Sequence, residues 1–319
     1  MGISIKFVNR VVNPTKTFFF DLFHGHGLIG FNRFFASFFF GLRIGKRFKK
    51  NTQNLIYQYL VNSSSEIIEK FSQYTSNCEY DSRAHVWVLW MQGYDNAPVI
   101  VKKCIDSIRS STSHPVIFLS KENLSEYYVF PEYIKEKYEK GIITNAQLSD
   151  IIRMAVLSKY GGLWVDSTIF IPKQIPEEVF YHEFFTCKRE KILDGYLSDY
   201  RWTGFLNGCQ KDCVFQKAVQ ELIFDYWAKN DYLIDYLLLD YYILIVYNEI
   251  KKAAVLLDSL PYNNIFIEEL QNRMSEVFDQ TDYLKLINDS DTSFFKLSWR
   301  MNFNKEKNGQ KTYYGHLFC

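Results

Sequence analysis

An α/β fold, with a mostly parallel sheet covered by helices, is predicted by three observations. Residues 85–91 favour a strand that ends at Gln92-Gly93, a helical pattern begins at Pro98, and a second short strand follows over 116–119. Residues 145–160 then repeat apolar positions at three- and four-residue steps. Behind them a double glycine leads into another short apolar run, Leu163-Trp164-Val165. Strands that alternate with helices in this way build a parallel sheet with helices on its faces.

Each element has a local reason. Pro98 suits a first helical position, where its missing N–H costs nothing, and Asn96 stands where it can cap that helix. Val101, Cys104, Ile105 and Ile108 give the helix a buried face. In the next helix Thr144 or Asn145 can cap the start. Leu148, Ile151, Ile152, Ala155 and Val156 form its apolar stripe, and Gly161 suits the left-handed position past its end. Asp150 and Arg153 are three apart and share one helix face. Asp166 falls at the C-terminal end of strand 163–165, the edge where open α/β sheets bind ligands. Taken singly, Asp150 and Arg153 read as a surface ion pair, and Asp166 as a turn or cap residue. Their order and spacing set them apart.

A chain of 319 residues accommodates one large domain plus an appendage. A net charge of +1 argues against a nucleic-acid partner. The 28 Phe and 23 Tyr can stack on sugars or fill a core. Cys78, Cys104, Cys187, Cys209, Cys213 and Cys319 show no CxxC and no paired histidine spacing, which fits reduced thiols in a cytosolic protein. No cleavable signal-peptide pattern stands out.

The balanced total hides an asymmetry. Residues 1–50 hold nine Lys/Arg, one acid (Asp21) and twelve Phe. The apolar stretch 17–42 is interrupted by Asp21, His24, His26 and Arg33, so it falls short of the roughly 20 uninterrupted residues of a spanning helix. Aromatic clusters beside Arg43, Lys46, Arg47, Lys49 and Lys50 suit an interfacial anchor on an anionic leaflet. A Phe-rich helical hairpin packed on the main domain, or on a second copy of the chain, is the other reading. The expected division is a membrane-associating segment and connector over 1–80 and a catalytic domain over 81–319.

Further along, residues 202–208 read as a loop and turn with an aromatic platform. Residues 226–247 are apolar and aromatic, bearing Asp231, Asp235 and Asp240.

The strings Trp87-Val88-Leu89-Trp90-Met91-Gln92-Gly93, Asp95-Asn96-Ala97-Pro98, Ser149-Asp150-Ile151-Ile152-Arg153 and Tyr160-Gly161-Gly162-Leu163-Trp164-Val165-Asp166 resemble the capsular polysaccharide synthesis family. That family is related to the DXD-containing glycosyltransferase family 32. Residues 84–172 carry the strong match, with weaker echoes at 227–242 and at Tyr313-Tyr314-Gly315-His316.

The resemblance implies a GT-A-like, Rossmann-type domain. It implies a hexosyltransferase using a nucleotide sugar, UDP-linked and with retention, on a lipid-linked oligosaccharide during bacterial capsular or extracellular polysaccharide synthesis. The location implied is peripheral, on the cytoplasmic face of the cell membrane. By the same resemblance Trp90, Gln92 and Gly93, with Gly161 and Gly162, serve the nucleotide. Core packing is the alternative for Trp90. Asp150 would accept hydrogen bonds from sugar hydroxyls, and Arg153 would brace the sugar or the diphosphate.

Asp166 and a late histidine, His316, would hold Mn²⁺ or Mg²⁺, although His316 reads equally as an ordinary terminal residue. Asp235 is the candidate acceptor-side carboxylate, or else a solvated helix-face residue. The chain departs from the usual Asp-x-Asp at Asp166-Ser167-Thr168, because a hydroxyl is a poorer ligand than a carboxylate for hard cations. That departure keeps open a catalytically silent scaffold that binds nucleotide sugar within an assembly complex. A second copy of the chain is carried as a further partner.

Overall fold

The computed structural model describes residues 14–190, 195–288 and 290–319. Residues 1–13 of the basic N-terminal segment lie outside the described residues.

In chain order come helices α1 (Gly27–Phe38), α2 (Arg43–Ser63) and α3 (Ser65–Ser72), strand β1 (Val86–Leu89), α4 (Val99–Ser110) and β2 (Val116–Leu119). Next are α5 (Asn145–Tyr160), β3 (Gly162–Val165), β4 (Ile169–Phe170), β5 (Phe184–Thr186), β6 (Leu206–Cys209), α6 (Val214–Lys229) and α7 (Leu238–Glu249). Strand β7 (Phe295–Lys296) and helix α8 (Tyr313–Leu317) lie near the C-terminus.

The central sheet has the order β2-β1-β3-β6-β5. Strand β1 pairs in parallel with both β2 and β3, whereas β6 runs antiparallel to its neighbours β3 and β5. Four of the five strands therefore point one way, and β6 is the reversed member. The expected parallel sheet is present as a parallel-rich one with a single inversion. That inversion falls on residues 206–208, expected as loop. Gly208 and Asn207 weaken the strand pattern, yet pairing on both edges supplies the hydrogen bonds that fix an extended conformation.

Helix α5 is the spine behind the sheet. Its Thr144 cap accepts from the Gln147 N–H, and Gly161 follows at φ +70°. The expected one-sided stripe is a correction: every residue from Ile151 to Leu157 is buried. A helix apolar around its circumference belongs inside a protein, and here α6 packs on α5 while α5 leads directly into β3. Asn96 does not cap α4. Its side-chain amide donates to the Gln92 carbonyl, and Pro98 takes the cap position instead.

The N-terminal helices share this core. Ile56, Leu60 and Phe71 are buried with the sheet residues, and α2 lies against α7. The four polar residues that interrupt the apolar stretch face inward or sideways. Arg33 binds Asp21 at 2.8 Å and Asp235 at 2.9 Å and donates to the Ile234 carbonyl, and His26 meets the Tyr232 hydroxyl. Among the described residues no helix is long and apolar enough to cross a membrane.

The double glycine is dictated by packing. At Gly162 φ is +97°, and a Cβ would stand 2.2 Å from the His85 carbonyl oxygen; at Gly161 it would stand 2.6 Å from the Lys211 nitrogen. Both obstacles are backbone, which cannot rotate away. Gly162→Ala should lower the free energy of unfolding by at least about 2 kcal/mol. Urea titration checks this, and an unchanged midpoint would contradict the close approach.

Candidate active site

Because β1, β2 and β3 are parallel, their C-terminal ends share one edge of the sheet. Trp90 and Gln92 follow β1 there, and Asp166 follows β3. The Asp166 N–H donates to the Phe205 carbonyl, so the chain entering β6 closes the far side. Crevices at such strand ends are where ligands bind in open α/β sheets.

Arg153 sits at the centre. Its side chain is only 6% exposed, and it reaches Asp150 on its own helix at 3.2 Å and Asp166 at 3.1 Å. The guanidinium lies over the Trp164 ring at 5.2 Å. Gly204 leaves room for it, since a Cβ at that position would come within 3.3 Å of an Arg153 terminal nitrogen.

The Asp166 carboxylate accepts from three donors. Oδ1 accepts from Arg153 and from the Trp164 indole N–H at 2.9 Å, while Oδ2 accepts from Lys296 Nζ at 3.0 Å. Lys296 also donates to Thr168 Oγ1 at 2.8 Å.

These contacts set the charges. Burial acts to raise the Asp166 carboxyl, but Lys296 and Arg153 outweigh it and hold the group below the usual carboxylate range. Burial pushes Asp150 up to about 7; Arg153 opposes the rise, and Asp240 and Asp166 add to it. Asp240 is also raised, first by burial, against the Trp202 hydrogen bond and Arg153. Two cations thus surround one firmly ionised carboxylate, in a crevice that penalises uncompensated negative charge. An anionic ligand meets favourable charge there.

The structure brings together Asp150, Arg153 and Asp166, and places Trp90 and Gln92 on the same sheet edge. Trp90 packs edge-on against exposed Trp299 at 5.7 Å, and its buried indole N–H has no acceptor among the described residues. A buried donor of that kind is what a bound ligand can complete. Gly93, at φ +80°, turns the loop after β1.

The remaining expectations land elsewhere. Gly161 and Gly162 lie at the opposite end of β3 from Asp166, where they admit neighbouring backbone. Asp235 is engaged by Arg33 and accepts from the Leu237 N–H, outside the Arg153 cluster. His316 stacks on Phe278 with centroids 3.8 Å apart, not against Asp166. Trp202 is 2% exposed and is no open platform; it donates to Asp240 at 2.9 Å.

Sequence reasoning missed Lys296 altogether, and it passed over Asp240 in favour of Asp235. Helical spacing could have separated those two only if the start of α7 at Leu238 had been known.

The fit to a divalent ion can be judged from the donors. Both Asp166 oxygens are taken by cationic or indole donors, and Lys296 bridges the first and third motif positions. Among the described residues no group of three His, Cys, Asp or Glu could hold a metal ion. These residues do not fit Mn²⁺ or Mg²⁺.

The fold is an α/β one that presents paired cations and carboxylates at its strand ends. The chain belongs to the capsular polysaccharide synthesis protein family, which matches residues 38–317.

It is similar to the O-glycosyltransferase braB of Annulohypoxylon truncatum, with 27% identity over 106 residues covering 30% of this chain and 25% of that protein. It is also similar to the uncharacterized glycosyltransferase L373 of Acanthamoeba polyphaga mimivirus, with 26% identity over 149 residues covering 46% and 53%. The chain therefore spans a quarter of one relative and about half of the other. Among solved structures it is similar to the PaToxG glycosyltransferase at 15% identity and a TM-score of 0.37, covering 65% of this chain and 83% of that one.

The raised carboxyl of Asp150 has a measurable consequence. Folded Asp150 keeps its proton up to about 7, whereas the unfolded group loses it near 3.8. The native state then binds the extra proton between these values, so this group's contribution to stability falls as pH rises through that window. The slope is at most about 1.4 kcal/mol per pH unit. In urea titrations at pH 5 and pH 8, Asp150→Asn should gain on the native chain at the higher pH. Parallel losses in both proteins would show that Asp150 is not desolvated.

Proposed function

We propose that the chain is a GT-A-like glycosyltransferase that moves a hexose from a nucleotide sugar, UDP-linked, to a lipid-linked oligosaccharide in capsular polysaccharide synthesis. The observation that carries this reading is the Asp150–Arg153–Asp166–Lys296 cluster at the ends of the parallel strands, in a chain of this family. Arg153 and Lys296 offer hydrogen bonds and positive charge to a diphosphate. Asp150, about a quarter exposed in the crevice, accepts from a sugar hydroxyl. The loop carrying Trp90 and Gln92 takes the nucleotide, with the unpaired indole N–H available to it.

In the transfer, the acceptor hydroxyl oxygen bonds to the anomeric carbon as the carbon–oxygen bond to the diphosphate breaks. The electron pair of that bond leaves on the diphosphate oxygen, which takes the hydroxyl proton on the same face, and configuration is retained. The protein positions the reactants and stabilises the leaving charge.

Membrane association is part of the proposal. Phe23 is 86% exposed, Phe40 73% and Leu28 69%, and helix α2 opens with the basic run that holds Arg43, Lys46 and Arg47. Exposed apolar side chains in a segment rich in lysine and arginine suit an anionic leaflet, and such an anchor would bring the crevice to a lipid-linked acceptor.

Two outcomes check these points. A nucleotide at 100 times its Kd should add about 2.7 kcal/mol of stability, so a melting panel of UDP, GDP, CDP and UDP-sugars should single out one nucleotide. Asp166→Asn should cut sugar transfer by about a hundredfold or more. Binding without any turnover in the native chain would favour the silent scaffold.

For the membrane, replacing Phe23, Leu28 and Phe40 together by Ser should weaken sedimentation with phosphatidylserine vesicles at least about tenfold. Unchanged sedimentation would remove the anchor from the reading.

A further inference from the structure

Lys296 occupies a place that the sequence motif would give to something else. In an Asp-x-Asp motif a divalent ion lies between two carboxylates; here the third position is Thr168, and an ammonium joins it to Asp166. This lysine is built into the sheet beside the motif. Strand β4 pairs antiparallel with β7, with Ile169 opposite Lys296, and the Leu297 N–H donates to the Thr168 carbonyl at 2.9 Å. Its Nζ lies 4.7 Å from the Phe205 ring centroid, and its side chain is about a quarter exposed. An ammonium has three protons to donate. Asp166 and Thr168 receive two of them, which leaves the third for a ligand.

We propose that Lys296 serves in place of the divalent cation, so that the nucleoside diphosphate is bound and released without metal. The inference rests on the reading of this crevice as the donor site. Lys296 and Arg153 together carry the two positive charges that a single divalent ion would bring. A metal entering between Asp166 and Thr168 would have to displace the ammonium, and it would gain only one carboxylate. The neutral hydroxyl at Thr168 suits the exchange, because a second carboxylate there would consume the lysine's charge instead of leaving it for the diphosphate. During transfer the lysine keeps its protons, and it hydrogen-bonds the diphosphate oxygen that receives the electron pair.

Calorimetric titration of the full chain with UDP, GDP and CDP, in EDTA and in Mn²⁺, tests this directly. One nucleotide should bind in EDTA, with a Kd that Mn²⁺ changes by less than about threefold, under 0.7 kcal/mol by the usual conversion. Lys296→Met should weaken that binding about tenfold or more, and Lys296→Arg should restore most of it; circular dichroism melts verify that each variant folds.

Binding only in Mn²⁺ would overturn the inference and leave the donor site standing. Binding in EDTA that a folded Lys296→Met leaves unchanged would also overturn it. Failure of every nucleotide under both conditions would remove the donor site itself, and the inference with it. The comparison of EDTA with Mn²⁺ uses the native chain alone, so it decides the matter even if the variants misfold.

Discussion

The buried guanidinium of Arg153 is the constraint on which the site depends. An arginine stays charged in a protein interior, so its surroundings must supply anions and acceptors. Asp150 and Asp166 supply them from two elements, the same helix and the end of the next strand. The turn at Gly161-Gly162 is therefore more than a connection. It sets α5 and β3 at the separation that lets one side chain bridge them. Removing either partner would leave the buried guanidinium short of an acceptor, which couples the integrity of the core to the electrostatics of the crevice.

Three carboxylates near two cations could simply neutralise one another. The geometry separates them instead. Asp166, whose carboxylate accepts three hydrogen bonds from Arg153, Trp164 and Lys296, stays ionised, whereas Asp150 and Asp240 are pushed toward their neutral forms. The field left over at the strand ends is positive. That polarity suits a diphosphate better than a neutral sugar.

Much of this was legible in the chain because it is local. The strand from Val86, helix α5 and its Thr144 cap, the double glycine and Asp166 all lie within segments whose patterning declares them. The i,i+3 spacing was enough to join Asp150 to Arg153. What escaped is what depends on distant pairing. Lys296 stands in Phe294-Phe295-Lys296-Leu297 with no motif around it, and its partner lies 130 residues away. Strand β6 was read as loop because Asn207 and Gly208 dilute its pattern, while the pairing that makes it a strand comes from both neighbours. Asp235 looked more promising than Asp240 because the sequence does not show which faces Arg33 and which faces Trp202. The apolar N-terminal stretch hid inward-facing charges whose partners, at 232–235, belong to the main domain.

That separation along the chain also orders the site in time. During synthesis α5 and β3 emerge together, so Arg153 and Asp166 can meet early. Asp240 must follow before the Trp202 indole has its acceptor, and Lys296 later still. Closing a loop of that length costs only slowly growing entropy, but the wait is set by elongation. A nascent chain between these points holds Asp166 with Arg153 as its counter-charge, and the crevice acquires its positive field only when β7 docks beside β4.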